Sequence, residues 1–320
     1  MTSVLDFPQL WQKPSFQSLV ACLDALEIKP PSGTMPAPRT TAPPSKRLIS
    51  LTGASDEERE AIWDLASKRI SERSGRQAMG EITRRWPFTI STKPSFELVI
   101  KEPALTGDSI GFKTWGSSYL LALQLESLAS THLSHLLNRT LSRPKPAVLE
   151  LGSGTGLLGL AAAAVWGTRV LLSDLPNIVP NLAVNADANA ATLDGLGGSA
   201  EVGALTWGGT EDEVDQRLFG TPNQFKIVLV ADPLYDDIHP RLLQGAIMNQ
   251  LALGGDARAI VMVPKRDQTT IGLLENFKTF MIQGEGALDC LEQGEIGGQD
   301  DWEVNDDEDI KCWWGIFARR

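Results

Sequence analysis

Two features of this chain have the residue types and order needed to hold a small molecule. The first is Val148-Leu149-Glu150-Leu151-Gly152-Ser153-Gly154-Thr155-Gly156, an apolar run that ends in an acid and passes into three alternate glycines. Glycine adopts positive φ and lets backbone N–H groups come close to a ligand. The stretch behind it, Leu160 to Val165, is alanine-rich and favours a helix. A strand, a tight loop and a helix N-terminus in that order make a cradle for a mononucleotide-like cofactor. The second feature is Asp174, at the end of the next apolar run. An acid in that place can accept hydrogen bonds from both hydroxyls of a ribose.

Other cofactor chemistries fit less well. The nicotinamide pattern G-x-G-x-x-G requires glycine where this chain has Leu157, because Gly156 comes one residue early. There is no G-x-x-x-x-G-K-[ST] and hence no P-loop. Cys22, Cys290 and Cys312 are far apart and form no CxxC pair, so neither a zinc site nor a disulfide framework is expected, and a reducing compartment is. His132 and His135 read as surface residues, and no metal is assigned.

The elements around these features alternate. Strands are expected at Val148–Leu151, Arg169–Ser173, Glu201–Leu205, Phe225–Ala231 and Arg258–Val263, with helices between them over Val179–Ala191, Pro240–Leu253 and Thr270–Gln283. That pattern implies βαβ units and a mostly parallel, doubly wound sheet. Trp302 to Val304 and Ile310 to Ala318 read as an antiparallel hairpin closing it. Upstream, Tyr119 to Leu137 reads as a long helix capped by Ser117 or Ser118. Phe96–Ile100 and Ile110–Thr114 read as two strands of a hairpin.

The first 94 residues read as a separate, mainly helical extension. Phe16, Leu19, Val20, Leu23 and Leu26 recur at helical spacing, and Ser55 with Glu58 forms a capping box ahead of a second amphipathic stretch. Residues 29–46 between them carry six prolines and read as a linker. Arg84 and Arg85 read as surface residues. The expected domains are therefore an extension over 1–94 and an α/β domain over 95–320.

The glycine loop, the spaced Asp174 and the terminal hairpin together resemble the class I methyltransferases that use S-adenosylmethionine. The resemblance implies a Rossmann-like seven-stranded sheet with an antiparallel C-terminal hairpin. Thr114-Trp115-Gly116, Asn181-Leu182 with Asn185, Leu205-Thr206-Trp207-Gly208 and Asp232-Pro233-Leu234-Tyr235 are similar to family 16, mostly protein-lysine methyltransferases with a D-x-x-Y motif at the fourth strand. His239-Pro240, Pro264-Lys265-Arg266-Asp267, Asp300-Asp301-Trp302 and Lys311-Cys312-Trp313-Trp314 resemble a fungal branch that methylates translation elongation factors, of the elongation factor 2/3 type.

Position by position, the resemblance implies that Trp115 walls the methionine end of the cofactor and that Gly152, Ser153 and Gly154 give it close backbone approach. Asp174 holds the ribose, Trp207 packs beside the adenine and Ala231 lines the floor. Asp232 orients the incoming lysine amine, and Tyr235 adds a ring wall and a hydroxyl at the same mouth.

Forty-two per cent of the 320 residues are hydrophobic, enough for a large core, and the formal net charge is −11. So acidic a chain repels a phosphate backbone, so nucleic acid is not expected as a main partner and a basic protein surface suits it better. No signal peptide or membrane-length apolar run is seen in the sequence, and a cytoplasmic protein is expected, a monomer being favoured. Two alternatives stand beside a protein-lysine methyltransferase: a small-molecule methyltransferase, and a non-catalytic partner-binding protein on the same fold.

Overall fold

Strands covered on both faces must be apolar along most of their length. Val148–Leu151, Ile227–Ala231 and Arg258–Pro264 meet that demand, being buried almost throughout. The structure is a computed structural model that describes residues 15–25, 39–41, most of 55–66, 81–104, 110–137, 145–284, 286–298 and 310–320.

In chain order the elements are α1 (Phe16–Ala25), β1 (Arg39–Thr41), helical residues within 57–66 (α2), β2 (Ile82–Phe88) and β3 (Phe96–Glu102). A 3₁₀ turn at Ile110–Phe112, α3 (Gly116–Ser130) and α4 (Ser134–Leu137) follow. Then come β4 (Val148–Leu151), α5 (Leu157–Trp166), β5 (Arg169–Asp174), α6 (Val179–Gly195), β6 (Ser199–Ala204) and α7 (Gln216–Phe219). The chain ends with β7 (Ile227–Ala231), α8 (His239–Gln250), β8 (Arg258–Pro264), α9 (Gln268–Ile282), β9 (Leu288–Gly298) and β10 (Ile310–Arg319).

The main sheet has seven strands in the order β6-β5-β4-β7-β8-β10-β9. The first five are mutually parallel, and β10 runs antiparallel to both β8 and β9. Alternate side chains of the strands serve two cores, as the period of two dictates. Val148, Leu229 and Ile260 pack with Leu121, Leu125 and Leu158 of α3 and α5, whereas Leu149, Val228 and Val261 pack with Leu243, Leu273 and Phe277 of α8 and α9. Burying each such side chain contributes about 1.5–3 kcal/mol. The C-terminal end of α5 receives two cations. Lys93 Nζ donates to Ala164 O at 2.6 Å, and Lys145 Nζ donates to Trp166 O at 2.5 Å, satisfying carbonyls that the helix leaves open.

Four local features differ from expectation. Ile110–Phe112 is a 3₁₀ turn, and the strand paired with β3 is Ile82–Phe88, with Trp86 opposite Leu98. The boundary between residues 94 and 95 thus falls in the turn between paired strands. Arg84 is buried within β2, 3.6 Å from Glu102, while Arg85 is half exposed beside Glu97. α3 begins at Gly116 with Trp115 as its N-cap, so Ser117 and Ser118 lie inside the helix. At the other end β10 pairs with Leu288–Gly298. Trp302 to Val304, and most of the linker at 29–46, lie outside the described residues. The capping box does form: Glu58 N donates to Ser55 Oγ at 3.2 Å and Ser55 N to Glu58 Oε2 at 3.0 Å.

A ladder of asparagines fixes the smaller sheet, β1-β2-β3, to the larger one. Asn189 and Asn185 lie one turn apart on α6, and each bonds both backbone groups of a β3 residue, Val99 and Lys101 respectively, at 2.8–3.0 Å. Their side-chain amides thus occupy the place of a neighbouring strand. Asn185 also donates to Thr155 O at 2.9 Å, which ties β3 to the glycine loop.

Candidate active site

The loop after β4 turns through Gly152 (φ +68°) and Gly154 (φ +55°), conformations that L side chains rarely adopt. A Cβ on Gly152 would lie 3.2 Å from the Trp207 ring, and one on Gly154 would lie 3.2 Å from Gly111 O. The loop is stitched to the end of β5: Ser153 N donates to Ser173 O at 2.9 Å, and Ser173 N donates to Ser153 Oγ at 3.1 Å. Gly154 N and Leu175 N donate to the two oxygens of Asp174 at 2.6 and 2.7 Å. Burial pushes the Asp174 carboxyl up, against the lowering effect of those two bonds.

These elements enclose a cavity of about 210 Å³ at the carboxyl ends of β4, β5 and β7. Trp115, Gly152, Ser153, Gly154, Asp174, Trp207, Ala231, Asp232 and Tyr235 all line it, so the structure brings every sequence-derived site residue into one space. Trp207 stands edge-on to His239, with ring centroids 6.3 Å apart, and Tyr235 stands edge-on to the same imidazole at 4.2 Å. Tyr235, 58% exposed, marks the open side. Burial raises its hydroxyl pKa, with Asp174, Asp232 and Asp236 adding to the effect; burial lowers that of His239.

Asp232 follows β7 with φ +56°, a left-handed conformation uncommon outside glycine, and its N–H donates to Met262 O of β8 at 3.0 Å. Its side chain is nearly buried and pairs with both guanidinium nitrogens of Arg266, which follows β8; Nη1 donates to Oδ1 at 2.8 Å. The Arg266 guanidinium stacks 4.7 Å over the Trp115 ring, and Lys113 Nζ lies 4.8 Å from the same ring.

Sequence reasoning missed several of these groups. Glu150 was assigned only as a strand end, yet it lines the cavity while 2% exposed, accepts from Gly159 N at 3.1 Å, and has its pKa pushed up by burial to about 8. A Cβ on Gly159 would meet that carboxylate at 2.5 Å, so the helix glycine is what admits it. His239 and Arg266 stand in short sequence motifs whose spacing assigns them no role. Thr206 also lines the cavity, its Oγ1 buried with no partner among the described residues. His132 and His135 lie away from the cavity, bonded to Glu292 and to Asp256 O. Among the described residues no cluster of His, Cys, Asp and Glu could hold a metal ion, and no helix is long and apolar enough to cross a membrane.

A family model described as lysine methyltransferase matches residues 92–280. The chain belongs to that family. It is 32% identical over 269 residues to protein-lysine N-methyltransferase EFM2 of Saccharomyces cerevisiae, covering 80% of this chain and 60% of the relative. It is 34% identical over 200 residues to protein-lysine N-methyltransferase rrg1 of Schizosaccharomyces pombe, covering 62% and 61%. EEF1A lysine methyltransferase 3 of Mus musculus is 38% identical over 100 residues, 31% of this chain and 38% of that one. The chain thus spans about three fifths of the length of its two yeast relatives.

The cavity fits S-adenosylmethionine, the cofactor that this family implies. Two loop positions strain any side chain, Asp174 offers a carboxylate to a ribose, and the Trp207 ring lies against the loop. Thr206 leaves a buried hydroxyl to be satisfied, and Glu150 offers a carboxylate to a ligand that carries positive charge.

Proposed function

We propose that this chain is an S-adenosylmethionine-dependent protein-lysine N-methyltransferase that modifies a translation elongation factor in the cytoplasm. The observation that carries the reading is that Asp232 and Tyr235 line the same cavity as the glycine loop and Asp174, with Tyr235 exposed at its edge. The family match and the names of the two yeast relatives support lysine as the acceptor, and the name of the mouse relative supports an elongation factor.

Gly152, Ser153, Gly154 and Asp174 hold the ribose end of the cofactor, Trp207 the adenine, Trp115 the methionine end, and Ala231 forms the floor. When bound, S-adenosylmethionine supplies an activated methyl group, the new N–C bond forming as the C–S bond breaks and its electron pair stays on sulfur. The chain's own residues hold and orient the reactants. Asp232 accepts a hydrogen bond from the lysine amine and aims its lone pair into the cavity. Tyr235 and His239, edge to face, wall the lysine side chain at the mouth.

Incubation with labelled S-adenosylmethionine and purified elongation factors 1A, 2 and 3 tests this. One factor is expected to take up label on lysine, and Asp232→Ala is expected to abolish transfer while leaving S-adenosylhomocysteine binding little changed. Label on none of the factors, or on small metabolites of an extract instead, would overturn the reading.

A further inference from the structure

The attacking lysine must be neutral, yet its amine has a reference pKa near 10.4. A bare carboxylate beside it makes this worse, because an opposite charge favours the charged form. Asp232, the group best placed to orient the amine, therefore opposes the reaction if it acts alone. It does not act alone. The Arg266 fork engages both of its oxygens, and each carboxylate oxygen can accept more than one hydrogen bond. Arg266 does not line the cavity; it reaches Asp232 from the turn after β8, with its guanidinium over Trp115. The backbone bond from Asp232 N–H to Met262 O ties the turn after β7 to β8.

We propose, resting on the methyltransferase reading above, that Arg266 is a positioning residue: by pairing with Asp232 it lets that carboxylate accept a hydrogen bond from the target amine without holding the amine in its charged form. The ion pair keeps the acceptor geometry and cancels most of the charge that an ammonium would seek. The step it governs is the loss of one proton from the ammonium to water at the mouth. Among the described residues, the charged and titratable groups around this point include Lys113, Glu150, Asp174, Tyr235, Asp236 and His239. Nearby, Lys265 is taken up by Glu295 and Asp267 caps α9. Burial favours the neutral imidazole of His239 and the protonated hydroxyl of Tyr235, and it pushes Glu150 up to about 8.

Arg266→Met removes the charge at similar length, and Arg266→Lys keeps the charge without the fork. The rising limb of kcat against pH should move up by about one pH unit or more in Arg266→Met, and return toward the wild-type position in Arg266→Lys even where the plateau is lower. A limb that stays in place in Arg266→Met, whatever its rate, would overturn the proposal, as would an equal shift in both variants. A second measurement needs no protein substrate. With S-adenosylhomocysteine present, n-butylamine followed by NMR should bind wild type more tightly as pH rises from 7 to 10, and Arg266→Met less tightly. The same pH trend in both proteins would refute the role of Arg266, whereas absence of any methylated protein refutes only the proposed function.

Discussion

The carboxyl of Glu150 should give this fold a specific sensitivity to pH. It is 2% exposed, and burial holds its pKa at about 8 against an ordinary 4.5. Below pH 4.5 it is protonated in both the folded and unfolded chain and has no effect. Between 4.5 and 8 the unfolded chain has released the proton and the folded chain has kept it, so stability falls as pH rises. Each unit costs about 1.4 kcal/mol, and the whole window costs on the order of 5 kcal/mol. Glu150→Gln keeps an amide oxygen for Gly159 N and does not ionise. The stability difference between Glu150→Gln and wild type, from urea denaturation, should be near zero at pH 5 and should favour the variant by several kcal/mol at pH 8. Other titrating groups cancel in that difference. An equal difference at the two pH values would refute the assignment. Because Glu150 faces the cofactor space, the stabilised variant is expected to bind S-adenosylmethionine more weakly, the exchange of stability for function usual at such sites.

Gly154→Val should weaken S-adenosylhomocysteine binding by at least an order of magnitude in calorimetry, since left-handed backbone costs a branched residue about 1–2 kcal/mol and its Cβ presses on Gly111 O. Asp174→Ala should weaken it similarly; wild-type affinity in both would remove the cofactor from this loop. Asn185→Ala leaves Lys101 N and the Thr155 carbonyl without their side-chain partner, while the Lys101 carbonyl keeps only Asn181 Nδ2 at 3.2 Å. It should lower stability by about 2–4 kcal/mol in thermal denaturation, and a loss below roughly 0.5 kcal/mol would show that the asparagine ladder does not hold β3.

The central strands were legible because both their faces are buried, which writes an unbroken apolar run into the sequence. The glycine loop and Asp174 were legible because backbone strain and strand-end position restrict residue type. β2 was hidden: buried Arg84 breaks its inward run of Ile82, Trp86 and Phe88, and Pro87 within it argues against a strand. β9 was hidden because it is an edge strand whose residues are mostly exposed and whose composition is rich in Glu and Gly. Arg266 was visible as a residue but not as a partner, because its contact with Asp232 joins two turns through the pairing of β7 with β8. The burial of Glu150 likewise depends on Gly159 closing over it, a contact that no local pattern specifies.

The three acids in the cavity stand at the carboxyl ends of adjacent strands β5, β4 and β7, on either side of the point where the strand order reverses and where open α/β sheets bind ligands. Three bare carboxylates so placed would repel one another, and Asp174 does push Glu150 toward its neutral form. Each acid is managed differently. Glu150 keeps its proton, Asp174 is held by two backbone N–H groups, and Asp232 is matched by Arg266. The cavity is therefore less negative than its composition implies, and Glu150, pushed up to about 8, can change its charge near neutral pH. A cationic cofactor can gain a charged partner there by displacing a proton. On the proposed reading, the target amine would meet at Asp232 an acceptor already paired with Arg266. Positive charge is thus drawn toward the inner wall and discouraged at the mouth, the polarity that transfer from a sulfonium to a neutral amine requires.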